Sequence, residues 1–70
     1  MSQLSRVAKV LRQNRRGAGV TVAKIAKLAG VSKSTVYKRV ADLRQEPGRV
    51  IYSNYRMVNG QRKLHYRIAA

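Results

Sequence analysis

The sequence predicts an α+β fold: three helices followed by a C-terminal two-stranded β-hairpin, in one domain over residues 1–70. Three observations carry that expectation. Apolar residues recur at helical spacing as far as Leu43, the period changes from 3.6 to 2 beyond Gly48, and Asn59-Gly60 separates two alternating runs. A type I′ turn needs positive φ at both central positions, which makes Asn-Gly the strongest short hairpin signal.

The first helix is expected over 3–15. Leu4, Val7, Ala8 and Leu11 fall on one stripe, with Ser2 placed to cap the N-terminus. Arg12, Arg15 and Arg16 sit near its end, where the helix dipole favours cations; phosphate contact explains them equally well. Gly17-Ala18-Gly19 breaks the helix, and Val20 reads as one or two extended residues. Thr21 can cap a second helix over 22–29, with Val22, Ile25, Ala26 and Ala29 inward and Gly30 as its left-handed stop. Ser32 can cap a third over 33–45, with Val36, Val40 and Leu43 inward and Pro47-Gly48 ending it.

Closing a hairpin over 50–68 at Asn59-Gly60 pairs Met57 with Arg62, Tyr55 with Leu64, Ser53 with Tyr66 and Ile51 with Ile68. That register places Ile51, Tyr55, Met57, Leu64, Tyr66 and Ile68 on an apolar face. The opposite face carries Tyr52, Asn54, Arg56, Val58, Gln61, Lys63, His65 and Arg67. A one-residue slip would scramble the sorting. Arg56 then faces Lys63, a like-charge pair that either protects an edge from aggregation or straddles a phosphate.

Composition narrows the function. Sixteen Lys and Arg stand against two acids, a net charge of +14, so the chain carries a repulsion that a polyanionic partner relieves. With 44% hydrophobic residues it is not expected to be a disordered basic tail. There is no Cys, His65 is the only histidine, and Asp42 and Glu46 are the only acids. No catalytic residue, metal site or cofactor is expected from that inventory, and His65 reads as a neutral surface residue. Asp42 and Glu46 are expected to pair with Lys38 and Arg39 along the third helix. The longest uncharged stretch inside the chain is seven residues, Gly17 to Ala23, so neither a membrane span nor a secretory signal is expected. A chain this small leaves no room for an effector pocket, and no small-molecule effector is expected.

The turn between the second and third helices is the most specific feature. Ala26-x-x-x-Gly30-Val31-Ser32-x-x-Thr35-Val36 resembles the helix-turn-helix signature of bacterial and phage DNA-binding regulators. Ala26 must be small where the third helix crosses it, Gly30 takes the tight turn, Val31 fills the gap, Ser32 caps and Val36 packs inward. The tract from Ile25 to Val36 is similar to lactose-repressor-type headpieces, which carry an apolar residue where this chain has Arg39. From there the apolar series Val36, Val40, Leu43, then Gly48 and Val50, resembles the third helix and first wing strand of winged-helix regulators. The winged-helix resemblance spans about Val20 to Ile68.

The resemblance implies a double-stranded DNA partner, with the third helix in the major groove and the hairpin as a wing on backbone or minor groove. Its outward residues Lys33, Ser34, Tyr37 and Lys38, with Ala41 one turn on, are the base-reading candidates. Thr21, Ser32 and Thr35 at helix starts, Arg44 and Arg49 at the exit of the third helix, and Arg56, Arg62 and Lys63 on the wing are the phosphate candidates. Solvated surface charge is the competing reading of Lys33 and Lys38, and burial beside the wing that of Tyr37. The function expected is that of a small sequence-specific transcriptional regulator or a phage or plasmid DNA-transaction factor, cytoplasmic and nucleoid-associated. The alternatives are an architectural DNA-coating protein with weak sequence preference, and an RNA-binding or ribosomal winged helix, disfavoured by the narrow A-form major groove. A monomer is expected, with any self-association cooperative on DNA. Val10 is the one apolar residue left over as a hint of a partner surface.

Overall fold

A computed structural model describes residues 2–69. Along the chain run α1 (Gln3–Gln13), β1 (Val20–Thr21), α2 (Val22–Ala29), α3 (Lys33–Arg44), β2 (Ile51–Val58) and β3 (Gln61–Ile68). The three helices pack on one another, and the antiparallel sheet, in the order β1-β3-β2, closes over them.

Each helix start has the hydroxyl cap its sequence calls for. Ser2 accepts from the Ser5 amide at 3.1 Å, Thr21 from Lys24 at 3.2 Å and Ser32 from Thr35 at 3.2 Å. Such a cap satisfies one amide that the first helical turn leaves free, worth about 1 kcal/mol. Gly30 ends α2 in the left-handed conformation, and the Val31 amide reaches back to the Ala26 carbonyl at 3.0 Å. α1 is shorter than expected. Asn14 leaves helical geometry and its side-chain amide donates to the Val10 carbonyl at 2.8 Å, closing the helix early. Arg15 and Arg16 therefore lie in the following loop, and only Arg12 is in the last helical turn.

The core is built from the predicted stripes. Val7 and Leu11 of α1, Ile25 of α2, and Val36, Val40 and Leu43 of α3 are essentially inaccessible, with Ile51, Tyr66 and Ile68 covering them from the sheet. Val31 packs against the edge of this cluster, as the turn signature requires. Val10 is buried too, which removes it as a partner surface: α1 presents a wider apolar stripe to its neighbours than the four residues read from the spacing.

The hairpin register is the expected one, from Ile51↔Ile68 through Arg56↔Lys63 to Val58↔Gln61, with positive φ at both Asn59 and Gly60. A further strand joins it. Val20 and Thr21 pair with Tyr66 and His65 along the free edge of β3. Gly19 makes this approach possible, since a β-carbon there would collide with the Tyr66 carbonyl oxygen, and its φ of 87° is itself a glycine conformation.

Two expectations about the hairpin faces are corrected. His65 is buried rather than surface-exposed, because β1 lies beside it and its Nδ1 sits 3.1 Å from the Lys63 carbonyl. Tyr55 and Met57, assigned to the apolar inner face, are 58% and 67% exposed. Strands of eight residues extend about 25 Å, and the helices cover only the half nearest Ile51 and Ile68. The free half carries its own contact, the Arg62 guanidinium lying 4.5 Å from the Tyr55 ring centroid. Of the two acids, Asp42 pairs with Arg39 as expected and Glu46 pairs elsewhere. Asp42 Oδ2 lies 3.1 Å from Arg39 Nε, three residues away, in an ion pair whose N–H is not aimed for a hydrogen bond. Glu46 lies past the end of α3 and meets Arg49 at 3.7 Å.

Candidate nucleic-acid interface

The first turn of α3 is organised around one hydroxyl. Ser32 Oγ receives the Thr35 amide and lies 3.1 Å from Ser34 Oγ and 2.9 Å from Thr35 Oγ1. This knot fixes the helix start where the amides and the dipole favour an anion. With Val36, Val40 and Leu43 turned into the core, Lys33, Ser34, Tyr37, Lys38 and Ala41 remain on the exposed side of the helix. Tyr37 is 46% exposed, so its ring is available and not enclosed by the wing.

Beside this turn lies a groove of about 290 Å³ between three elements. Thr21 opens it from the start of α2, Lys33 and Tyr37 line it from α3, and Gln61, Arg62 and Lys63 close it from β3. Five residues singled out from separate stretches of the sequence thus converge on one concavity: Thr21, Lys33, Tyr37, Arg62 and Lys63. No carboxylate lines it. Arg56 stands opposite Lys63 across the hairpin, and Ser34, Lys38 and Ala41 continue the exposed face of α3 outside the groove.

Among the cationic candidates, Arg44 and Arg49 have a hydrogen-bond or ion-pair partner within the described residues. Arg44 donates through Nε and Nη2 to the Ile51 carbonyl at 3.2 and 3.1 Å, and its guanidinium lies 5.6 Å from the Tyr66 ring centroid. Burial pushes the Tyr66 phenol above its ordinary pKa, opposed by the Arg44 charge. Arg49 is the partner of Glu46. Sequence reasoning passed over Gln61, whose alternation is that of any strand residue. It also passed over Arg6, whose guanidinium lies against the turn at Gly30. Only the crossing of α1 over that turn reveals the latter.

A family model for an HTH domain matches residues 4–62, most of the chain. The chain belongs to this helix-turn-helix domain family. It is a DNA-binding domain, and its three helices with a β-hairpin form a winged helix-turn-helix. No curated protein and no solved structure gives a significant match. Among the described residues of this helix-turn-helix domain, no helix is long and apolar enough to cross a membrane.

Proposed function

We propose that the protein reads a specific DNA sequence, as a small transcriptional regulator or DNA-transaction factor, with α3 in the major groove. Lys33, Ser34, Tyr37 and Lys38 meet base edges, Ala41 lies against a thymine methyl, and the wing holds the adjacent backbone or minor groove. The observation that carries this reading is the carboxylate-free groove in which Lys33 and Tyr37 of α3 adjoin Arg62 and Lys63 of β3. A module that only coated DNA would need charge there. This one also offers an aromatic ring and, on the same helix, hydroxyl and methyl groups that discriminate between bases. Thr21, Ser32 and Thr35 supply helix-start contacts to flanking phosphates.

Selection of bound sequences from a random duplex pool, at about 150 mM salt to suppress long-range attraction, tests the proposal. A recovered consensus of a few base pairs is the expected result. An unenriched pool would instead make the domain a backbone binder.

A further inference from the structure

At the base of the hairpin, away from the wing tip, Arg12, Arg15, Arg16 and Arg67 line an open cleft of about 830 Å³. The cleft is built, not incidental. Asn14 closes α1 onto the Val10 carbonyl, and the Gly19 amide donates to the Arg16 carbonyl at 3.1 Å. Arg67 Nε donates to the Arg15 carbonyl at 3.2 Å, fastening the loop to β3 across fifty-two positions of sequence. The loop that carries Arg15 and Arg16 is therefore tied down at both ends, and Arg12, Arg15 and Arg16 are exposed residues.

Among the described residues none of these arginines has a carboxylate partner. Among the described residues the two ion pairs are Arg39–Asp42 and Arg49–Glu46, and no carboxylate lines the cleft. Four guanidinium groups on one wall of a chain with a net charge of +14 repel one another, and a row of phosphates would offset that. Planar guanidinium forks match phosphate oxygens in pairs. No aromatic ring lines the cleft to hold a nucleotide base, so the fit is to backbone.

Its position sets it apart from the groove beside the wing. The two share no lining residue and occupy opposite ends of β3, Gln61–Leu64 against Arg67–Ala69. Arg62 and Arg67, five positions apart, are separated by about 17 Å of strand. α3 runs the same way: its N-terminus lines the wing groove, and near its C-terminus Arg44 is bonded to Ile51 at the hairpin base. A duplex held by the start of α3 and the wing lies at the other end of both elements.

We propose that this four-arginine cleft holds the phosphate backbone of a second DNA duplex, so that one chain bridges two. The proposal rests on the reading that α3 and the wing hold the first. It accounts for cations that a single groove-reading surface leaves unused.

The test immobilises one short duplex on beads and measures capture of a second, fluorescent duplex by the full chain, with binding to a single duplex followed in parallel by anisotropy. Native protein is expected to capture the second duplex. Arg12→Gln with Arg15→Gln and Arg16→Gln should lower capture by about tenfold or more. Single-duplex affinity should change by only about twofold, because 17 Å is about two Debye lengths at physiological salt. The lysine versions of the same positions should keep most of the capture. If the triple glutamine variant melts early, Arg16→Gln alone should still give a partial loss. Single-duplex binding without capture by the native chain would overturn the bridge and leave the first reading intact; no single-duplex binding would overturn both. Undiminished capture by the triple variant, or an equal loss of single-duplex affinity, would also overturn the bridge, the latter by placing the cleft on the first duplex.

Discussion

Tyr37 and Lys38 are adjacent on α3, are exposed, and follow the capped turn held by Ser32. A side chain that pairs with a base edge contributes about 1–3 kcal/mol of discrimination, a cost that falls on some sequences and not others. Tyr37→Ala with Lys38→Ala should therefore change the consensus recovered by selection rather than lower every affinity by one factor. An unchanged consensus with uniformly weaker binding would demote both to backbone contacts. Tyr66 makes a second, thermodynamic prediction. Its folded pKa lies above its unfolded value, which is about 10. The stability this contributes is complete below about pH 10 and is lost as pH rises through the folded value. Tyr66→Phe keeps the ring beneath Arg44 and removes the titration, so its urea midpoint should fall less than the native one between about pH 9 and about pH 11. Equal falls would sink the assignment. Residue by residue, the exposed face of α3 was legible because three apolar positions fix the helix orientation. His65 and Arg44 were not. Strand alternation tells which face a residue takes but not that β1 will cover it, and nothing local in sequence aims Arg44 at the Ile51 carbonyl.

Among the elements, the hairpin was the best specified, since one Asn-Gly turn and one period set every cross-strand pair from Ile51↔Ile68 to Val58↔Gln61. The limit of that specification is length. Alternation cannot show where the supporting helices stop, and so it placed Tyr55 and Met57 inward when both are exposed. That overhang is what puts Arg62 and Lys63 beside Lys33 and Tyr37, as a wing needs. The two-residue β1 read only as extended residues because its pairing with β3 joins positions 44 and 46 residues apart, a relation that no local window contains. If the wing contacts backbone, Arg62→Ala with Lys63→Ala should weaken all sequences by a similar factor. A native interface neutralising about six phosphates predicts a slope of log affinity against log salt near −5, and the variant should be shallower by about 2. A changed consensus with an unchanged slope would instead make the wing a base reader.

Over the whole molecule, charge and size act together. The principal extents are 34 × 23 × 18 Å, and a net charge of +14 is spread through that volume with two acids, each already in an ion pair. At about 0.01 M salt the Debye length is about 30 Å, so nearly every cation interacts with every other. At about 0.15 M it is about 8 Å, and only neighbours still interact. The groove shared by α3 and the wing lies about two such lengths from the four-arginine cleft along β3, so salt should relieve most of the repulsion between the two clusters while leaving each cluster's internal repulsion. Thermal unfolding of the DNA-free protein should therefore shift to higher temperature as sodium chloride is raised across that range, by several degrees if about 1 kcal/mol is recovered in a domain of this size. The same salt should weaken DNA binding, so stability and affinity should move in opposite directions along one titration. A flat or falling melting temperature would mean that self-repulsion is a minor term, and that the surplus cations already find adequate solvation without a polyanion.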